Sequence, residues 1–188
     1  MKKKYIICLV LIIIVGSCIF ILKKVSNNHN NININNSTVI ENTKNIQDLN
    51  VISQHNEYVL VIDDTYSELQ TYSVYQNINA NNYKKQFSLP EGKTIESRFI
   101  CWTNDRIYVL GYNPASYKLS NGNIVDTGDL NKILGGTTGR IDKIIGIYNN
   151  FIYYTYSYNA EHFYGKISLD LNSVTIIQKD DLPKELNN

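Results

Sequence analysis

The chain has 188 residues, 18 of them basic and 17 acidic, a formal net charge of +1 and 43% hydrophobic residues. That length favours one domain. The apolar content excludes a fully disordered chain, and three prolines with ten glycines exclude collagen-like and Pro-rich classes.

Residues 5–22, YIICLVLIIIVGSCIFIL, form an uncharged apolar run preceded by Lys2, Lys3 and Lys4 and followed by Lys23 and Lys24. At 1.5 Å per residue a helix of that length reaches roughly 27 Å, the hydrocarbon thickness of a bilayer. The run predicts a transmembrane signal-anchor over residues 1–24, and the flanking lysines place its N-terminus in the cytoplasm and everything after Lys24 outside. An alternative is lipoprotein processing: Val15-Gly16-Ser17-Cys18 resembles a bacterial lipobox with Cys18 as the lipidated residue, although the sequence stays apolar after it. Both readings tether the rest of the chain to the outer face of a cell membrane. Beyond residue 24 the chain holds 13 basic and 17 acidic residues, about −4, with no basic stripe. Phosphate neutralisation dominates nucleic-acid affinity, so no nucleic-acid partner is expected.

Residues 25–49 are Asn-rich and lack helical or strand periodicity. Asn competes for backbone hydrogen bonds and favours turns, so this stretch reads as a flexible linker with a root-mean-square span of roughly 25 Å. His29, alone within it, is a weak metal ligand.

Residues 50–188 read as an all-β domain of short strands rich in Tyr, Ile, Val and Thr. The alternation in Phe151-Ile152-Tyr153-Tyr154-Thr155-Tyr156-Ser157-Tyr158 fits a sheet with one better-buried face. Strands are predicted at 51–53, 57–62, 68–75 and 84–89, then at 98–103, 106–112, 116–119 and 124–126. A third group falls at 143–148, 151–158, 162–170 and 174–178, and only a helical turn is expected, within 128–133. These are four-stranded antiparallel meanders repeated about three times. Asn104-Asp105-Arg106-Ile107-Tyr108-Val109, Asn150-Phe151-Ile152-Tyr153-Tyr154 and Gly165-Lys166-Ile167-Ser168-Leu169-Asp170 carry a resemblance to blades of bacterial surface β-propeller-like repeat proteins. The resemblance implies a partial propeller. A curved β-sandwich or a closed barrel is the alternative.

Catalytic motifs of the HExxH, CxxC, GxSxG and Walker A kinds are missing from the sequence. Cys101 lies in the apolar run Phe99-Ile100-Cys101-Trp102 and reads as a buried thiol; no disulfide framework is expected. Glu161-His162 could form an acid/base pair, but adjacent strand residues face opposite ways, and His55 is isolated. Leu134-Gly135-Gly136-Thr137-Thr138-Gly139-Arg140 could cradle an anion with its amides. Asn121, Asp126 and Asp129 gather oxygens suited to calcium without the EF-hand spacing. Neither a cofactor nor a metal is expected. The candidate ligand-binding residues are aromatic: Tyr153, Tyr154, Tyr156, Tyr158, Tyr164 and Trp102, with Tyr148 nearby, since such rings stack on sugars and peptides. The resulting expectation is a membrane-anchored extracytoplasmic, non-catalytic binding module for an envelope glycan or protein partner. Alternatives are a structural subunit of a membrane assembly, or a hydrolase with a site assembled from distant loops.

Overall fold

Thirteen strands, one short α-helix and several 3-10 turns make up the described residues, which are 43–64, 70–90 and 95–186 of a computed structural model. All of them fall in the compact unit Glu41–Asn188. The apolar run 5–22, Cys18, His29 and the linker up to residue 42 lie outside the described residues. Among the described residues no helix is long and apolar enough to cross a membrane.

The strands form three antiparallel sheets. The first contains β1 (Thr43–Asn45), β2 (Asn50–His55), β3 (Tyr58–Asp64), β4 (Thr71–Asn79) and β5 (Asn82–Ser88), in the order β1-β5-β4-β3-β2. The second is the meander β6 (Ile100–Trp102), β7 (Arg106–Val109), β8 (Ala115–Lys118) and β9 (Ile124–Thr127). The third is the meander β10 (Arg140–Tyr148), β11 (Phe151–Tyr158), β12 (Glu161–Ser168) and β13 (Val174–Ile177). The Asn-rich turns make the hairpins possible. Asn149-Asn150 and Asn159-Ala160 hold both residues at positive φ, the handedness that matches strand twist in a two-residue loop, and Asn adopts it at low cost.

Alternation along the strands stacks the sheets. Leu60, Tyr72 and Val74 of the first sheet bury against Ile107, Val109, Ala115 and Tyr117 of the second. On its opposite face the second sheet supplies Tyr108 and Leu110, which bury against Ile141, Ile152, Tyr154, Tyr156 and Ile167 of the third. The second sheet is thus covered on both faces, which is why Ile107, Tyr108 and Val109 are buried in succession. The helix α1 (Leu130–Ile133) leads from the second sheet to the third and puts Ile133 into the second core. Edge strands of neighbouring sheets touch: β6 contacts β10, and Trp102 at the end of β6 donates from Nε1 to Ser53 Oγ of β2 at 2.8 Å.

Flanking segments lie over part of each outer face. Ile46 and Leu49 pack with Val51 of β2 against Val59, Val61, Tyr75 and Tyr83 of the first sheet. At the other end, Leu186 lies over Gly146, where an added Cβ would stand 2.7 Å from its Cδ2, and Tyr148 donates to Glu185 Oε1 at 3.4 Å.

Two expectations need correction. The sheets do not close into a barrel: hydrogen bonding stops at the edges of each meander, and the sheets meet through side chains. The Asn-rich stretch does not stay outside the fold up to residue 49, because Thr43, Lys44 and Asn45 pair with Lys84, Tyr83 and Asn82. Three residues are too few to display an alternation.

Candidate functional site

Where the core between the first two sheets reaches the surface, it opens into a cleft of about 660 Å³. Buried Leu89, Val109, Ala115 and Tyr117 belong to both core and cleft wall. The turn after β7 brings Tyr112, Asn113 and Pro114, and β9 with its exit brings Ile124, Thr127 and Asp129. Two of these apolar residues face solvent: Tyr112 is 63% exposed and Ile124 53%. The local chain is held firmly. Gly128 N donates to Pro114 O at 2.8 Å, and Asp129 Oδ1 accepts from Asn131 N at 2.9 Å, capping α1. Asp129 is the charged residue among the described residues that line the cleft. A mostly apolar concavity with a few polar groups is the usual character of a ligand site.

The tyrosines predicted from the sequence divide between two faces. Register pairs Tyr154 with Ile144 and Gly165, and Tyr156 with Ile141 and Phe163, all on the core side. Tyr154 is fully buried and donates its hydroxyl to Ile133 O at 2.6 Å; burial pushes its pKa up. Tyr156 is buried and stacks on Phe163, 5.2 Å between ring centroids. Tyr158 follows on the same side at the strand end and is half-buried. Tyr153 and Tyr164 lie on the opposite, outer face. Tyr153 is buried beside Gly146, its register partner, and Tyr164 is half-buried opposite Thr155. Trp102 is half-buried between the first two sheets and stacks on His55 at 6.3 Å and 10°. No shared surface carries all six rings, because period-2 geometry sends neighbours on β11 to opposite sides.

Other candidates resolve locally. Asp126 turns inward, pairs with Arg106 Nη1 at 2.7 Å and accepts from Ser116 Oγ at 3.0 Å, while Asn121 Oδ1 accepts from Asn123 N at 3.0 Å. With Asp129 capping α1, the oxygens proposed for calcium do not converge, and among the described residues no group of three His, Cys, Asp or Glu could hold a metal. In the Gly-rich loop Gly135 and Gly136 have positive φ and donate to Lys132 O and Asn131 O. Those amides finish the helix and do not face outward as an anion cradle. Cys101 is pushed up to about 12 by burial, far from thiolate chemistry.

A polar cluster brings together residues far apart in sequence. The Ser157 hydroxyl donates to Asp142 Oδ2. His162 Nδ1 lies 2.9 Å from Ser157 Oγ and 3.3 Å from Asp142 Oδ2. In a nucleophilic triad the imidazole stands between hydroxyl and carboxylate and uses a different nitrogen for each. Here the serine touches the carboxylate directly and the same nitrogen faces both, so the arrangement orients the ring without activating the serine. Glu161, paired with Tyr158, points to the opposite face from His162. Tyr112 and Ile124 of the cleft were missed by the sequence reading; an aromatic residue in the turn Gly111-Tyr112-Asn113-Pro114 was the available signal. Comparisons with family models, curated proteins and solved structures return no match.

Proposed function

We propose that the chain is a membrane-tethered, extracytoplasmic and non-catalytic binding module whose β domain consists of three propeller-like blades. Its ligand, a cell-envelope glycan or an envelope protein, enters the cleft beside the second sheet. The observation that carries this reading is the cleft itself, with the Tyr112 ring exposed on a backbone tied down by Gly128 and Pro114. An aromatic ring with a polar tip suits both sugars and peptides, since it offers apolar area at small cost in conformational entropy. The tether rests on the apolar run 5–22 and its flanking lysines. The blade reading rests on three consecutive antiparallel meanders stacked face to face.

The test uses the purified full chain in detergent on a glycan array, together with a photo-crosslinking residue in place of Tyr112 in intact cells. The expected result is binding to a restricted glycan class, or one discrete crosslinked partner. Loss of about tenfold in affinity is expected in Tyr112→Ala, the scale of one well-buried aromatic contact. Binding to no glycan together with no discrete adduct overturns the proposal.

A further inference from the structure

The Gly-rich loop and His162, unrelated in sequence, meet on the outer face of the third sheet. Register pairs Arg140 with Ser157 and Ser157 with His162, so the three form one row across β10, β11 and β12. Neighbouring strands lie about 4.8 Å apart, which sets the guanidinium and the imidazole on either side of the serine. The row lines a cavity of about 590 Å³ whose other walls include Thr138, Gly139 and Asn159. Arg140 is 79% exposed and His162 74%.

Asp142 supplies orientation. It faces His162 Nδ1 at 3.3 Å and Arg140 Nε at 3.8 Å while accepting from Ser157. Because Ser157 donates to Asp142, Nδ1 of His162 points its hydrogen at this pair, and the outward Nε2 donates to an anion in the imidazolium form; an Arg140 approached at Nε keeps its two terminal amino groups for another acceptor. Those groups form a planar fork that matches carboxylate and phosphate oxygens. The next row on the same face is Lys143, Thr155 and Tyr164, which adds a second cation and an aromatic ring beside the Arg140 fork and the His162 ring. From this placement we infer that the outer face of the third sheet binds an anionic saccharide. Its carboxylate or phosphate sits between Arg140 and His162, and its sugar ring lies on Tyr164. The inference rests on the binding-module reading in taking a glycan as partner, but it uses a surface separate from the cleft.

The experiment is a titration of the isotope-labelled full chain in detergent micelles, followed by NMR at the His162 ring and the Gly139 amide. Glucuronate and glucose 1-phosphate are the probes, with neutral glucose as control. Saturable shifts with either anion, absent with glucose, are expected, and a response to one anion alone supports the site and identifies its group. Arg140→Gln should weaken the effect about tenfold, the loss of a charge-assisted contact; His162→Gln provides a second variant at an exposed position. No saturable shift with either anion, or unchanged affinity in Arg140→Gln, overturns the inference. Glycan binding that needs Tyr112 while His162 stays silent overturns this inference alone. Anion binding here with no ligand at Tyr112 overturns the cleft instead.

Discussion

Gly165 carries no side chain because the ring of Tyr154 lies on it: an added Cβ would collide with Cζ of that ring. The pair sits between register partners on the core face, with little freedom to relax in a close-packed interior. Gly165→Ala is expected to cost about 1–3 kcal/mol through overpacking, measured by urea unfolding. Tyr154→Phe should cost about 1–3 kcal/mol by a different route, because the Ile133 carbonyl loses its buried donor. A second residue-scale case is Asp63. Burial raises its pKa, but hydrogen bonds from Lys85, Ser73 and Tyr75 outweigh burial and leave it lowered. With the folded pKa below the unfolded one, the contribution to stability is full above about pH 4 and is lost as pH falls through the folded value. The partner Tyr75 behaves inversely: burial and the Asp63 acceptor raise it to about 12. Its contribution is present below the unfolded value near 10 and is lost as pH rises through about 12. Asp63→Asn should therefore flatten the acid limb of a stability-against-pH profile; a limb as steep as in the parent would count against the assignment.

At the scale of elements, the edge of the first sheet depends on a very short strand. β1 pairs through Thr43, Lys44 and Asn45 with β5, and Ile46 N donates to Asn81 O at 3.0 Å. Beyond them Leu49 packs on the cluster of Val59, Val61, Tyr75 and Tyr83. Leu49→Ala should cost about 1–3 kcal/mol, less than a fully buried leucine, because the side chain is only half-buried. Hydrogen exchange should then quicken in β1 and β5 ahead of β7 and β11, since edges open locally before cores. The meanders of residues 98–178 were legible because each hairpin has an Asn- or Gly-bearing turn and strands of alternating pattern. Strands expected at 106–112 and 151–158 appear at Arg106–Val109 and Phe151–Tyr158. β1 was not legible, since Thr43, Lys44 and Asn45 include no apolar residue. The division of tyrosines on β11 followed from period 2, but which face would meet another sheet depends on contacts with Tyr108 and Leu110, more than forty residues earlier in the chain. The cleft and the Arg140 row were equally hidden, because each joins elements that only sheet stacking and register bring together.

At the scale of the molecule, the question is whether three stacked meanders are self-sufficient or an incomplete ring. An incomplete ring would leave its two outer faces bare, and bare apolar sheet faces seek partners. Part of each face is occupied by a flanking segment: Ile46 and Leu49 pack on the first sheet, and Leu186 lies over Gly146 of the third. The strand edges are treated unequally. β5 is covered by β1, and β9 is blunted by a register shift and by Asp126, which turns inward. β13 alone among these fourth strands is a regular run of Val174, Thr175, Ile176 and Ile177 with no register shift. A fragment spanning 41–188 should consequently fold as a monomer with one cooperative transition, checked by light scattering coupled to size exclusion and by circular dichroism. Truncation after Asp181 removes Leu186 from Gly146 and Glu185 from Tyr148. It should lower the transition and drive concentration-dependent association through the uncovered face of the third sheet. A fragment that is already oligomeric before truncation would mean that the flanking segments do not complete the stack, and would favour a structural subunit finished by a neighbouring chain.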